Sequence, residues 1–159
     1  MSSVAIRSPL SQARLQQVVS GLAADQRQWL GLVRYTEGTR WYKRLIDGGD
    51  HDVWLLSWLP GQGTGFHDHG LAAGAFAVAQ GRVREQTVAA GHGRARQRAV
   101  ARGSIRSFGA RYVHDVANTF AEPAVTVHAY SPPLTAMRRY ELTESGLVHT
   151  ATERAERDW

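Results

Sequence analysis

The sequence predicts an all-β fold, a closed barrel or sandwich of short strands, with α-helices packed outside it at the N-terminal end. From Arg40 onward, short apolar runs are separated by glycine or proline at a spacing typical of strands and tight turns. Over Ser8 to Val33, by contrast, apolar residues recur at intervals of three, four and five, the period of a helix face. A length of 159 residues suffices for one domain with a proper core and not for two of ordinary size, so residues 1–159 are read as a single domain.

The elements follow in chain order. Across residues 8–35, Leu10, Leu15, Val18, Val19 and Leu22 share a face, Pro9 suits a first helical turn, and Gly21 offers a break. A second short helix is expected from Ala24 or Asp25, carrying Trp29, Leu30 and Val33 inward. The barrel is expected over residues 40–142. Its strands are Trp41 to Ile46, Val53 to Leu59, Ala73 to Gln80, Val83 to Val88, Arg94 to Val100, Ile105 to Phe108, Val113 to Val116 and Val125 to Tyr130. Turns fall at Gly48-Gly49, Pro60-Gly61, Gly81, Gly91, Gly103 and Pro132-Pro133. Residues 150–159, rich in Glu and Arg and ending at Trp159, read as a tail, either poorly ordered or a short helix across the barrel.

Composition removes several function classes. Apolar residues at 43% and charged residues at 21% are ordinary globular values and exclude disorder over most of the chain. No run approaches the ~18 apolar residues of a membrane span, and Met1 to Pro9 lacks a secretory pattern. A cytoplasmic protein without a membrane partner is expected. Cysteine is absent, so any metal must be held by histidine or carboxylate. The net charge of +5 includes a cluster of Arg94, Arg96, Arg98, Arg102 and Arg106. The first three alternate with Ala95, Gln97 and Ala99, the pattern of a solvated strand face, and no aromatic residues are interleaved. Nucleic acid is therefore not an expected partner.

The chemistry concentrates in Gly61-Gln62-Gly63-Thr64-Gly65-Phe66-His67-Asp68-His69-Gly70. On a strand, His67 and His69 point to one face and Asp68 to the other, so two imidazoles can share a metal ion. A third ligand must come from a distant strand, and His114 is the best placed candidate. His51, His92 and His149 stand alone and are read as surface or satisfied core residues.

These motifs resemble the cysteine dioxygenase (type I) family, thiol dioxygenases of the cupin superfamily with a jelly-roll β-barrel. The first cupin motif is met by Gly61, His67, His69 and the closing Gly81. The second is met by His114 and Asn118, with its proline and second glycine replaced by Gly109 and Arg111. The stretch from Glu122 to Pro133 looks very like that family's strand carrying Ser, His and Tyr before a Ser-Pro-Pro turn, with Thr126 in the serine's place. Gly74 stands where ordinary cupins carry a glutamate ligand and where animal members carry a cysteine linked to the active-site tyrosine. The resemblance thus implies the uncrosslinked form of many bacterial members.

The resemblance implies Fe(II) as cofactor, a small-molecule thiol and O2 as reactants, and cysteine catabolism as the setting. Three neutral imidazoles leave Fe(II) its full double charge, which favours an anionic bidentate substrate such as a thiolate that also offers an amine. Thr126, His128 and Tyr130 share one strand face and suit a relay in which Thr126 orients His128 and His128 fixes Tyr130 beside substrate and oxygen. The family's carboxylate anchor, an arginine in a Tyr-x-Arg context, is met by Tyr42-Lys43-Arg44, although alignment on the following apolar pair selects Lys43 instead. Leu56 and Trp58 either wall the pocket or belong to the core. The expected activity is oxidation of L-cysteine to cysteine sulfinic acid by a monomer. The alternatives are 3-mercaptopropionate or another small thiol as substrate, a cupin isomerase or hydrolase on another metal, or a non-catalytic metal-binding cupin.

Overall fold

The computed structural model describes residues 8–89 and 93–155; the Gly91 turn, His92, the first seven residues and Trp159 lie outside the described residues. Ser11 caps helix α1 (Gln12–Ala24), its hydroxyl accepting from the Arg14 N–H at 3.2 Å. The helix passes through Gly21 unbroken. An interior glycine costs about 1 kcal/mol, less than the roughly 1.5–3 kcal/mol gained by burying each of Leu15 and Val19. The expected second helix is a single 3-10 turn, Gln26–Gln28, capped by Asp25. It suffices to bury Trp29, whose indole donates to the Ala23 carbonyl at 3.3 Å, while Leu30 points outward at 56% exposure.

Eleven strands follow among the described residues. They are β1 (Trp41–Asp47), β2 (Asp52–Trp58), β3 (Phe66–Asp68), β4 (Ala73–Gln80), β5 (Arg82–Val88), β6 (Ala95–Ala101), β7 (Ile105–Phe108), β8 (His114–Ala117), β9 (Ala124–Ser131), β10 (Ala136–Thr143) and β11 (Gly146–Arg154). They form a five-stranded sheet in the order β1-β2-β9-β4-β7 and a six-stranded sheet in the order β11-β10-β3-β8-β5-β6. Every pair of neighbouring strands in these two sheets is antiparallel.

Strand alternation divides the five-stranded sheet into two faces. Val53, Leu55, Ala75, Ala77, Val125, Val127 and Ala129 face outward and are covered by Leu15, Val19 and Trp29. Trp54, Trp58, Phe76, Val78 and Tyr130 face inward, meeting Val83, Val116 and Met137 of the opposite sheet. Central strand β9 is buried along its whole length, so its polar residues Thr126 and His128 lie in the interior.

Residues 150–154 are not a tail: they extend β11, an edge strand paired along β10. Its side chains are mostly exposed, so backbone pairing holds it without an apolar alternation. No helix among the described residues is long and apolar enough to cross a membrane.

Candidate metal centre and active site

Strands β3 and β8 are neighbours, with His67 directly opposite His114. His69, one residue beyond β3, returns to the same inner side. Asp68 turns away to Arg138 at 2.7 Å, the Tyr140 hydroxyl at 2.8 Å and the Gly70 N–H at 3.0 Å. The alternation read from His67-Asp68-His69 therefore holds. Candidate ligand atoms of His67, His69 and His114 lie within 4.8 Å of one another, and His67 Nε2 is 3.1 Å from His69 Nε2. Burial, then the neighbouring His114, pushes the His67 pKa well below the ordinary value; for His69 burial leads, followed by His67 and His114. Both rings are thus neutral with lone pairs to give. Their nitrogen separation matches the about 3 Å expected for two imidazoles bound at a right angle to one ion at about 2.1 Å. A buried, neutral, all-imidazole donor set fits a first-row transition metal such as iron or zinc. His51 instead pairs with Asp50 at 2.7 Å, and His149 lies exposed beside Thr152.

The three rings are oriented by different means. His67 Nδ1 meets the Gly65 carbonyl at 2.9 Å. His69 Nδ1 has no hydrogen-bond partner among the described residues, and its ring is held by stacking on Phe108 at 5.1 Å and against Tyr130 at 4.7 Å. His114 Nδ1 meets Glu85 Oε1 at 3.1 Å. Glu85, absent from the sequence reading, is wholly buried and is also held by Arg106 at 2.8 Å and the Tyr112 hydroxyl at 3.0 Å. Burial pushes its carboxyl up, but His114 and Arg106 outweigh this and hold it at about 2. Arg106, grouped by sequence with a solvated basic cluster, points inward instead. The missed signal was the alternation of Val83, Glu85 and Thr87, which puts a carboxylate on the inner face of β5.

Thr126, His128 and Tyr130 lie at alternate positions of β9. Thr126 Oγ1 is 2.8 Å from His128 Nε2, and the Tyr130 hydroxyl is 3.4 Å from His128 Nδ1. Burial lowers the His128 pKa to about 3 and raises that of Tyr130, so both are neutral at pH 7. Trp58 does not wall the cavity. It lies behind Thr126, donating its indole N–H to Oγ1 at 2.9 Å.

Tyr42 and Leu56 line the cavity with His67, His114, His128 and Tyr130; Arg44 is not among the lining residues, and Lys43 is exposed. Arg44 reaches Asp47 at 3.2 Å and lies over the Trp54 ring at 5.4 Å. Arg40, two residues before Tyr42 and on the same side, lines the cavity instead. Its Cζ is 5.8 Å from the Trp58 ring centroid, and its Nε is buried without a hydrogen-bond partner. No ion pair joins it among the described residues, and burial followed by Arg139 lowers its pKa. Sequence reasoning began the strand at Trp41 and so passed over it.

Gly74 has a packing reason to lack a side chain: an added Cβ would lie 2.5 Å from the Phe108 ring and 3.0 Å from Tyr130. Arg111, which replaces a motif glycine, takes the left-handed conformation at φ 62°.

Solved structures with this fold include a cupin superfamily protein from Desulfitobacterium hafniense, 10% identical, with a TM-score of 0.55 over 65% of this chain and 87% of that one. A conserved Klebsiella pneumoniae protein with a double-stranded β-helix domain is 18% identical, with a TM-score of 0.57 over 76% and 92%. These establish the cupin fold. Among curated relatives, cysteine dioxygenase type 1 of Danio rerio is 24% identical over 140 residues, covering 80% of this chain and 68% of its own. The cysteine dioxygenase type I family model matches residues 6–143, most of the length, and the chain belongs to that family.

Proposed function

We propose that the protein is an iron-dependent thiol dioxygenase that converts a small thiol acid to its sulfinic acid, with L-cysteine the first candidate substrate and 3-mercaptopropionate the alternative. The carrying observation is that one cavity is lined by His67 and His114 of the three-imidazole cluster, by His128 and Tyr130 of the β9 file, and by Arg40, whose buried Nε has no hydrogen-bond partner among the described residues. His67, His69 and His114 would hold Fe(II), which supplies the redox chemistry that lets a thiolate combine with dioxygen. The balance is simple: the thiolate sulfur gains both atoms of O2, and sulfur is oxidised as dioxygen is reduced.

The chain's own residues bind and orient. Arg40 is the proposed carboxylate anchor in place of Arg44, because a guanidinium at the cavity wall with a buried Nε lacking a hydrogen-bond partner and no ion pair among the described residues is suited to an anionic ligand. Tyr42 and Leu56 shape the walls beside it. The Trp58 indole can only donate, so it occupies one Thr126 lone pair. In the proposed relay Thr126 gives its proton to His128 Nε2. His128 Nδ1 then carries the ring proton and donates to the Tyr130 oxygen, which leaves the Tyr130 proton free to point at substrate.

The test is oxygen consumption by the iron-loaded protein with a panel of thiols, followed by product identification. Uptake with a thiol acid and formation of its sulfinate supports the reading. Tight metal binding without oxygen uptake by any thiol would favour the non-catalytic cupin.

A further inference from the structure

We infer that Glu85 is a positioning residue of the metal centre, fixing the His114 ring so that Nε2 is presented to the ion and placing a negative charge one imidazole away. This rests on the reading that His67, His69 and His114 hold a metal. The three candidate ligands differ in what stands behind them. His67 has a carbonyl 2.9 Å from Nδ1, His69 has only ring stacking, and His114 alone has a carboxylate, at 3.1 Å. An acceptor at Nδ1 fixes the tautomer with Nδ1 protonated, which leaves Nε2 as the lone-pair nitrogen, and an anionic acceptor makes that nitrogen more basic.

The surroundings of Glu85 suit this task. Its side chain is wholly buried on β5, yet Arg106 reaches it from β7 of the opposite sheet at 2.8 Å, and Tyr112 donates at 3.0 Å. Arg98, its cross-strand neighbour on β6, stands at 4.0 Å with its side chain half exposed. These donors occupy Oε2 and share Oε1, holding the carboxylate in one orientation with Oε1 towards His114. Glu85 is a buried carboxylate in direct contact with a candidate ligand.

The competing explanation is that Glu85 only neutralises Arg106 in the core. The experiment compares anaerobic Fe(II) affinity, by competition with a chromogenic chelator, in the full-length wild type, Glu85→Gln and Arg106→Met, alongside melting temperatures. Positioning predicts that Glu85→Gln weakens Fe(II) binding about 10- to 100-fold, whereas Arg106→Met, which loosens the carboxylate but leaves the Glu85–His114 and Glu85–Tyr112 contacts, lowers stability and weakens Fe(II) binding less than Glu85→Gln does. Equal Fe(II) affinity in wild type and Glu85→Gln overturns the inference and leaves the metal site standing. A wild type that retains no Fe(II) overturns the site itself, and the inference with it. If Glu85→Gln does not fold, nitrogen NMR of Zn(II)-loaded wild type decides. An exchange-protected proton on His114 Nδ1 with metal on Nε2 supports the inference, and metal on Nδ1 or a proton on Nε2 overturns it.

Discussion

Replacing Arg40 by methionine separates substrate binding from structural stability. The substitution keeps an extended side chain and removes the charge. Hydrogen bonds to a charged group contribute roughly 1.5–3 kcal/mol, and about 1.36 kcal/mol corresponds to tenfold in rate. Loss of the proposed carboxylate grip should therefore lower kcat/KM for cysteine about 10- to 150-fold. Stability should behave differently. The guanidinium has a buried Nε without a partner and no ion pair among the described residues, so methionine forfeits no protein contact of that kind. The melting temperature should hold or rise. The assay is steady-state oxygen uptake with cysteine, 3-mercaptopropionate and the carboxylate-free thiol cysteamine. Both acids should lose rate, with cysteamine nearly unaffected. Equal losses for all three thiols would place Arg40 in general support of the cavity. A selective loss in Arg44→Met with none in Arg40→Met would refute the assignment.

Tyr130→Phe should keep iron while losing about 10-fold or more in turnover; unchanged kinetics would remove the hydroxyl from the mechanism. Gly74→Ala should cost about 1–3 kcal/mol by overpacking, because its Cβ meets Phe108 at 2.5 Å, and Phe108→Leu in the same chain should restore part of the melting temperature. Metal-free protein should lose stability as pH falls below 6.5. The unfolded histidines take up protons there, whereas buried His67, His69 and His128 resist until their lower folded values, about 3 for His128. Each contributes a slope of about 1.4 kcal/mol per pH unit in that window, and a flat urea midpoint from pH 7 to 5 would contradict their burial as neutral rings.

The parts legible in the sequence were those set by strand alternation. His67-Asp68-His69 and Thr126-Val127-His128-Ala129-Tyr130 each sit with every second side chain inside the barrel, so period two sufficed. The helix boundary was less legible because packing of Leu15 and Val19 carried α1 through Gly21. Strand β11 left no pattern because an exposed edge strand is held by its backbone. Glu85 and Arg40 were missed for a shared reason. Each is a charged side chain on an inward position, and the stabilising partner of the first and the cavity beside the second come from distant strands. For Trp58 the sequence left a pocket wall and a core position both open, and only the fold places it in the core with its indole donating to Thr126.

The central claim is that this chain inserts both atoms of dioxygen into a thiol, and isotope labelling tests it most directly. Iron-loaded protein turning over cysteine under 18O-labelled dioxygen in ordinary water should yield cysteine sulfinic acid with both oxygens labelled. A sulfinate carrying label at one oxygen or neither, or oxygen uptake that yields only disulfide, would contradict the account.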